Sequence, residues 1–569
     1  MLKNLDKSIL QNIFNSNEFK AWLLSRRWFG DKSTLANLEF KVSFGYFHII
    51  SECIFLTVIE ITKANYLKKY FLPLIYYKKI QKILLSSEKE RDNIIKLTEN
   101  TFTKKIVIQN KVFTLNLLEA EYCIYFWNGM LFDKAIAEKF PSLSLDLTLY
   151  EEQFETEQDI KNVQNLIEAS LFPDRYNISL AQLGKGNTTN LLFQLELFNK
   201  KEATAYSYVL KSYKEYSSVN EPSMLFVLVK NKFPYSPNIY GIIKVDGKES
   251  IGIMQDVPNQ GNIGDIYWKE VSNLIFDVFK NINADYSEFE NEAKVKEIIK
   301  TYCGESLVVS DLIGDYIQNL HNSLILEDEP RYSKEKIDSK PYLDEYNQML
   351  NSMLESIKNT MNKKREKAFY NLPKINSVLI DTKDLITKFH EEFKEETIEI
   401  QPVHQDLHME QILYNKQDGD YKFYFIDFEG DPQLSPEERN KKFPVEKDLA
   451  SYLRSLSYIK FNIFLKFIEK YITSDKKYGV PEEELYNMFF RKAYSKSNEI
   501  LETILEVLNQ WEFKMMTKIL NVEKYNPSIT LINYHSIERV LHEIQYEMLY
   551  RPSEIIVPIL GLKEITERN

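Results

Sequence analysis

Two periods of apolar residues divide the chain. Up to about residue 260 the apolar positions recur mostly at every second residue, the spacing of half-buried strands. Leu38–Phe47, Ile54–Ile61 and Tyr66–Tyr77 read this way, followed by Lys105–Leu118, Ile178–Leu183, Leu191–Phe198, Tyr206–Lys211 and Ile251–Pro258. Short amphipathic helices are predicted over residues 1–25, ending at Ser25-Arg26-Arg27-Trp28-Phe29-Gly30. Another is predicted over 156–170, with Ile160, Val163, Leu166 and Ile167 on one face. Beyond residue 266 the period lengthens to three or four. Helices are predicted over Leu307–Leu320, 342–370 and Asp381–Lys394, and through most of the last hundred residues. Pro258 and the Asn/Gly-rich stretch 259–264 mark the change. The pattern predicts an α+β chain in three parts: a cap subdomain over 1–104, a strand-rich subdomain over 105–260 and a helical lobe over 261–569.

Composition narrows the class. The 569 residues are 44% hydrophobic and 13% aromatic, ample for sizeable cores. A net charge of −11 speaks against nucleic acid as a main partner, because phosphate backbones need a basic surface. Three scattered cysteines fit thiols in a reducing compartment. The first residues lack the apolar core of a signal peptide, and no run reaches the ~18 apolar residues of a membrane span. The expectation is a cytoplasmic monomer with small-molecule partners and no membrane.

One island interrupts the helical region. Residues 403–430 carry His404-x-Asp406, then Gln411, a turn rich in Asn, Asp and Gly, and the apolar run Phe423–Ile426 ending in Asp427 and Glu429. Phosphoryl transfer from ATP needs such a set: a carboxylate to orient the acceptor hydroxyl and take its proton, and an amide and a second carboxylate to hold Mg²⁺. Asp406 is assigned the first role, Gln411 and Asp427 the second, with His404 and Glu429 steadying them. The protein-kinase pattern has Asn where Gln411 stands and Asp-Phe-Gly where this chain has Asp427-Phe428-Glu429-Gly430. The loop from Gly184 through Gly186, Asn187 and Thr188 suits a cover over the triphosphate, and Lys211 on the next strand suits its α- and β-phosphates. Met254, Gln255, Asp256 and Val257 fall where a kinase hinge meets adenine. No third ligand at metal spacing joins His404 and His408, so zinc is rejected. Near the C-terminus Arg539, His542 and Tyr546 share one helical face, with Arg551 close behind, and suit a sugar-binding wall.

These motifs resemble those of the bacterial and archaeal maltokinases, a branch of the aminoglycoside-phosphotransferase-like kinases. The resemblance runs through Arg27–Gly30, the His404–Gln411 signature, Ile426–Gly430, Asp448/Ala450/Arg454/Ser455 and Tyr546/Glu547/Arg551/Pro552. It implies a bilobal protein-kinase-like fold with an N-terminal cap, ATP with Mg²⁺, and phosphorylation of maltose at its anomeric hydroxyl. Three departures stand out. The phosphate loop keeps only Asn187-Thr188 of the family's Gln-Ser-Asn-Thr-Ser. The glutamate expected to pair with Lys211 is displaced, with Glu221 as candidate. Arg539-Val540-Leu541-His542-Glu543 replaces Lys-Ala-x-Tyr-Glu. The alternatives are a kinase for another sugar such as glucosamine, and a nucleotide- or sugar-binding pseudokinase.

Overall fold

The computed structural model describes the chain except residues 1–6, 31, 36, 51–52, 65, 78–99, 109–110, 133–142, 148–155, 185–188, 218, 283–288, 290, 364–372, 432–433, 469–495, 521–525, 552–553 and 569. It falls into two compact units, one of residues 1–232 and 237–257 and one of 233–236 and 258–569. Strands concentrate in the first and helices in the second, so the α+β class is as predicted.

The first unit holds two six-stranded antiparallel sheets. In the first, β1 (Lys41–Ile49), β2 (Ile54–Lys63), β4 (Leu74–Tyr76), β6 (Lys111–Glu119) and β5 (Phe102–Ile108) lie in that order, with β3 (Tyr66–Phe71) also on β2. The strand predicted over Tyr66–Tyr77 is two, because Pro73 has no N–H to continue a ladder. The hairpin β5–β6 belongs to this sheet, so residues 104 and 105 lie within one strand. The second sheet has the order β7 (Leu143–Leu147), β11 (Ile239–Val245), β12 (Lys248–Gln255), β10 (Thr204–Ser212), β9 (Leu191–Asn199) and β8 (Tyr176–Gln182). Alternation explains it: Leu191, Phe193, Leu195 and Leu197 of β9 all point into the core, which runs continuously beneath both sheets.

The cluster around Trp28 is a structural corner. Its indole Nε1 donates to Glu119 Oε1 at 2.8 Å, and the Lys214 ammonium lies 5.3 Å from its ring. Lys214 also pairs with the fully buried Glu121, which accepts from Ser212 Oγ of β10 at 2.8 Å. The end of β10 is thereby tied to the first sheet.

In the second unit, α1 (Ser339–Lys363), α2 (Pro373–Glu392), α3 (Ile529–Tyr550) and α4 (Ile556–Arg568) share one core. Residues 364–370 of the helix predicted over 342–370 lie outside the described residues. Another helix, α5 (Glu446–Phe467), is buried on nearly every side, although it carries Lys447, Asp448, Arg454 and Lys460. Each of these charges has an oppositely charged or histidine partner, the condition for burying it. Among the described residues no helix is long and apolar enough to cross a membrane.

Candidate active site

The loop from Gln401 to Gln411 is shaped by Asp448, in the first turn of α5. This fully buried carboxylate accepts from the backbone N–H groups of His404 at 2.8 Å and Gln405 at 2.7 Å. His321 Nε2 completes its set at 2.9 Å. Burial by itself would raise the pKa of Asp448. The hydrogen bond and charge of His321 outweigh that and hold it below the ordinary carboxylate range. The anchored backbone takes an unusual shape, with Gln405 in the left-handed region at φ 70°. Such a conformation costs energy in a non-glycine residue and persists only where surrounding bonds enforce it.

The acidic hairpin follows directly. Strands β13 (Ile412–Gln417) and β14 (Asp420–Phe425) pair from Ile412↔Phe425 to Gln417↔Asp420. Asp418 and Gly419 both have positive φ, the requirement of the two-residue turn that matches strand twist. This register sets Gln411 beside Ile426, whose N–H donates to the Gln411 carbonyl at 3.0 Å. Gln411 Nε2 then reaches Asp427 Oδ2 at 2.8 Å. His404 Nε2 donates to the Ile426 carbonyl at 2.9 Å, and its ring packs 4.8 Å from that of Phe428. Asp427 itself is left-handed, at φ 70°. Asp427 and Glu429 bring carboxylate oxygens within 4.8 Å of each other. Two carboxylates this close are hard oxygen donors of the kind that suit Mg²⁺, while the Gln411 amide presents its Nε2 to one of them.

Asp406 lies on the loop anchored by Asp448, its side chain 15% exposed. Its Oδ1 accepts from Arg539 Nη1 at 2.6 Å, and its Oδ2 lies 3.9 Å from His408 Nε2. Burial lowers the pKa of His408, and the charge of Asp406 does not fully offset it. Arg539 is held charged: burial opposes the charge, but Asp406, Asp431 and Glu543 outweigh it.

The predicted C-terminal wall divides. Arg539 reaches Asp406, and His542 Nδ1 lies 3.1 Å from Asp431 Oδ2. Tyr546, 43% exposed, packs instead against Tyr550 with ring centres 4.8 Å apart, and the Arg551 guanidinium lies 5.3 Å from its ring. Arg551 also donates to Glu547 at 2.6 Å. Asp431 and Glu543 were not among the predicted site residues. Asp431 closes the acidic run that begins at Asp427, a signal present in the sequence. Glu543 lies one helical turn from Arg539, 3.8 Å from it, and 2.8 Å from Arg454.

Within the first unit, Lys211 Nζ pairs with Glu221 at 2.7 Å, both side chains being almost wholly buried. The helix α6 (Glu221–Lys230) carries that glutamate, so the pairing falls on the displaced candidate. Tyr213 donates to the same carboxylate at 2.9 Å. Gly252, opposite Lys211 on β12, leaves room for that phenol: a Cβ there would lie 2.9 Å from the Tyr213 hydroxyl. Met254 and Gln255 end β12, and Val257 is buried beyond them. Asp256 accepts from Gln194 and Ser207, each at 2.6 Å, so its side chain is tied back to the sheet. Gly184 takes φ 75°, a left-handed turn open to glycine. Gly186, Asn187 and Thr188 lie outside the described residues.

One sheet thus carries a strand lysine paired to a glutamate on the next helix. The helical unit carries a His-x-Asp loop and a hairpin ending in aspartate. Together these are the parts of a protein-kinase-like fold. No family model matches the chain. Among solved structures it is similar to "Glucosamine kinase in complex with glucosamine, ADP and inorganic phosphate", at 10% identity and a TM-score of 0.48, over 96% of this chain and 99% of that one. Two crystal forms of glucosamine kinase, A and B, are similar at 11% identity and TM-scores of 0.46. They cover 92% and 93% of this chain, and 91% and 94% of their own.

Proposed function

We propose that this chain is an ATP-dependent sugar kinase whose acceptor is maltose, phosphorylated at the anomeric hydroxyl. The observation that carries the kinase reading is the helical unit's set of Asp406, Gln411 and Asp427, with the amide and carboxylate of the latter two in contact at 2.8 Å. Asp406 orients the acceptor hydroxyl and takes its proton, as general-base assistance requires. Gln411 and Asp427 would hold Mg²⁺, with Glu429 alongside; bound there, the ion neutralises charge on the phosphates. Lys211, kept in place by Glu221 and Tyr213, holds the α- and β-phosphates, and the 184–190 loop covers the triphosphate. The backbone from Met254 to Val257 meets adenine. The Lys211–Glu221 pair speaks against the pseudokinase alternative, since nucleotide-binding kinases use this pairing in their active form.

Maltose rests on the sequence motifs, with Arg539, His542, Tyr546 and Arg551 as its proposed wall. The test is a panel of maltose, glucose, glucosamine and trehalose with ATP and Mg²⁺, read as ADP release. Turnover is expected with maltose above the other three. Glucosamine turned over far better than maltose would overturn the acceptor, and release with none of the four would overturn the kinase reading.

A further inference from the structure

Lys214 is fully buried, three residues beyond Lys211. Its ammonium pairs with the equally buried Glu121 and lies 5.3 Å from the Trp28 ring. Its carbonyl accepts from the Phe71 N–H of β3 at 2.8 Å, and the Tyr216 N–H donates to the Lys69 carbonyl at 2.9 Å. Side chain and backbone thus fasten the end of β10 to the first sheet. The backbone N–H of Lys214 goes elsewhere. It donates to Asn190 Oδ1 at 2.9 Å, and Asn190 too is buried.

Asn190 is the last residue of the loop proposed to cover the triphosphate, and the ends of that loop are fastened on either side of Lys211. At its start the Leu183 N–H donates to the Leu192 carbonyl at 2.9 Å, and Leu192 is the β9 residue opposite Lys211. At its end the ladder between β9 and β10 stops at Leu191↔Ser212. The Asn190 side chain carries the connection two residues further, to Lys214. A loop fastened at both ends has fewer arrangements to lose on binding, so its ligand is held more tightly. A buried lysine–glutamate pair gains little over apolar residues of the same volume, but it tolerates only a placement that keeps both charges satisfied. Such a pair sets where the end of β10 lies, and with it the residue to which Asn190 is tied.

We propose that Asn190 and Lys214 are positioning residues for the phosphates of ATP. Asn190 holds the end of the loop to the segment that carries Lys211, and Lys214 holds that segment to the first sheet. The proposal rests on the nucleotide part of the kinase reading, which sets the phosphates at Lys211 and this loop. The experiment is calorimetric titration of the full chain with ATP and Mg²⁺, for wild type and Asn190→Ala, with ADP release measured in parallel. Asn190→Ala should weaken ATP binding at least about fivefold and raise KM for ATP alike, while KM for maltose stays unchanged. A lower melting temperature follows from the unmet Lys214 N–H whatever the role of Asn190, so the affinity decides. Should alanine unfold the chain, Lys214→Met combined with Glu121→Leu removes both charges of the pair and decides on the same criterion. ATP affinity within about twofold of wild type, the result for purely structural contacts, overturns the proposal, as does a wild type that does not bind ATP. Turnover separates the two readings. ATP binding that depends on Asn190 without ADP release from any sugar keeps the proposal and rejects the kinase. Turnover with ATP binding indifferent to Asn190 does the reverse.

Discussion

Arg539 donates to Asp406 across 2.6 Å although 133 residues separate them. The pair joins the loop that carries the proposed base to helix α3. A second contact, His542 to Asp431, joins the same helix to the end of the acidic hairpin at 3.1 Å. Substitutions on α3 therefore act on the chemistry as well as on any wall the helix builds for the acceptor.

Asp406→Asn removes the proton acceptor and keeps the shape. Turnover should fall by at least ~10² while stabilisation by ATP persists. A variant with near wild-type ADP release would show that the base lies elsewhere.

Asp427→Ala should abolish the Mg²⁺-dependent part of the thermal stabilisation by ATP. Gln411→Asn draws the amide back by one methylene and should raise the Mg²⁺ concentration needed without abolishing the effect. Titration curves of both variants that overlay the wild type would place the metal outside this pair.

Lys211→Met leaves the Glu221 carboxylate buried without its ammonium partner, although Tyr213 still donates to it. Removing one partner of a buried pair typically costs about 3–5 kcal/mol, so the denaturation midpoint should drop clearly, together with a raised KM for ATP. Lys211→Met combined with Glu221→Leu should recover stability but not ATP affinity. Equal KM values for ATP in wild type and double variant would remove Lys211 from the nucleotide site.

Two carboxylates give opposite pH dependences. Asp431 is depressed to about 2: burial would raise it, but the hydrogen bond and charge of His542 prevail. Its contribution is present above its unfolded value near 4 and is lost as pH falls through about 2. Asp431→Asn should therefore flatten the loss of melting temperature between about pH 4 and pH 2.

Glu547 is raised to about 7, chiefly by burial, with Arg551 only partly offsetting it. Its Oε2 is buried and has no hydrogen-bond partner among the described residues. This group favours the folded state below its unfolded value near 4.5, and the benefit disappears as pH rises through about 7. Glu547→Gln should melt higher than wild type at pH 8, by at least about 2 °C, with a smaller difference at pH 5. No gain at pH 8 would mean that the carboxylate is not a strained buried charge.

Local chemistry made much of this protein legible in its sequence. A period of two against a period of 3.6 separates sheets from helices without any long-range information, because each pattern buries its apolar side chains in only one geometry. The hairpin after Gln411 was equally readable, since Asp418-Gly419 accepts the positive φ its turn needs. Spacing along that hairpin also brings Gln411 to Asp427. Contacts between distant segments were decided only by the tertiary structure. The Lys211–Glu221 pair depends on where α6 packs against the sheet at β11, and the sequence offered Glu221 only as a candidate. Helical spacing places Arg539, His542 and Tyr546 on one face, yet the packing of α3 against α5 turns the first two toward Asp406 and Asp431 and leaves Tyr546 exposed. Gln405 Oε1, Ser451 Oγ and His535 Nε2, which have no hydrogen-bond partner among the described residues, come from three segments whose sequences carry no common motif. Packing brings them together, because a buried polar atom is judged by neighbours that the chain supplies only once folded.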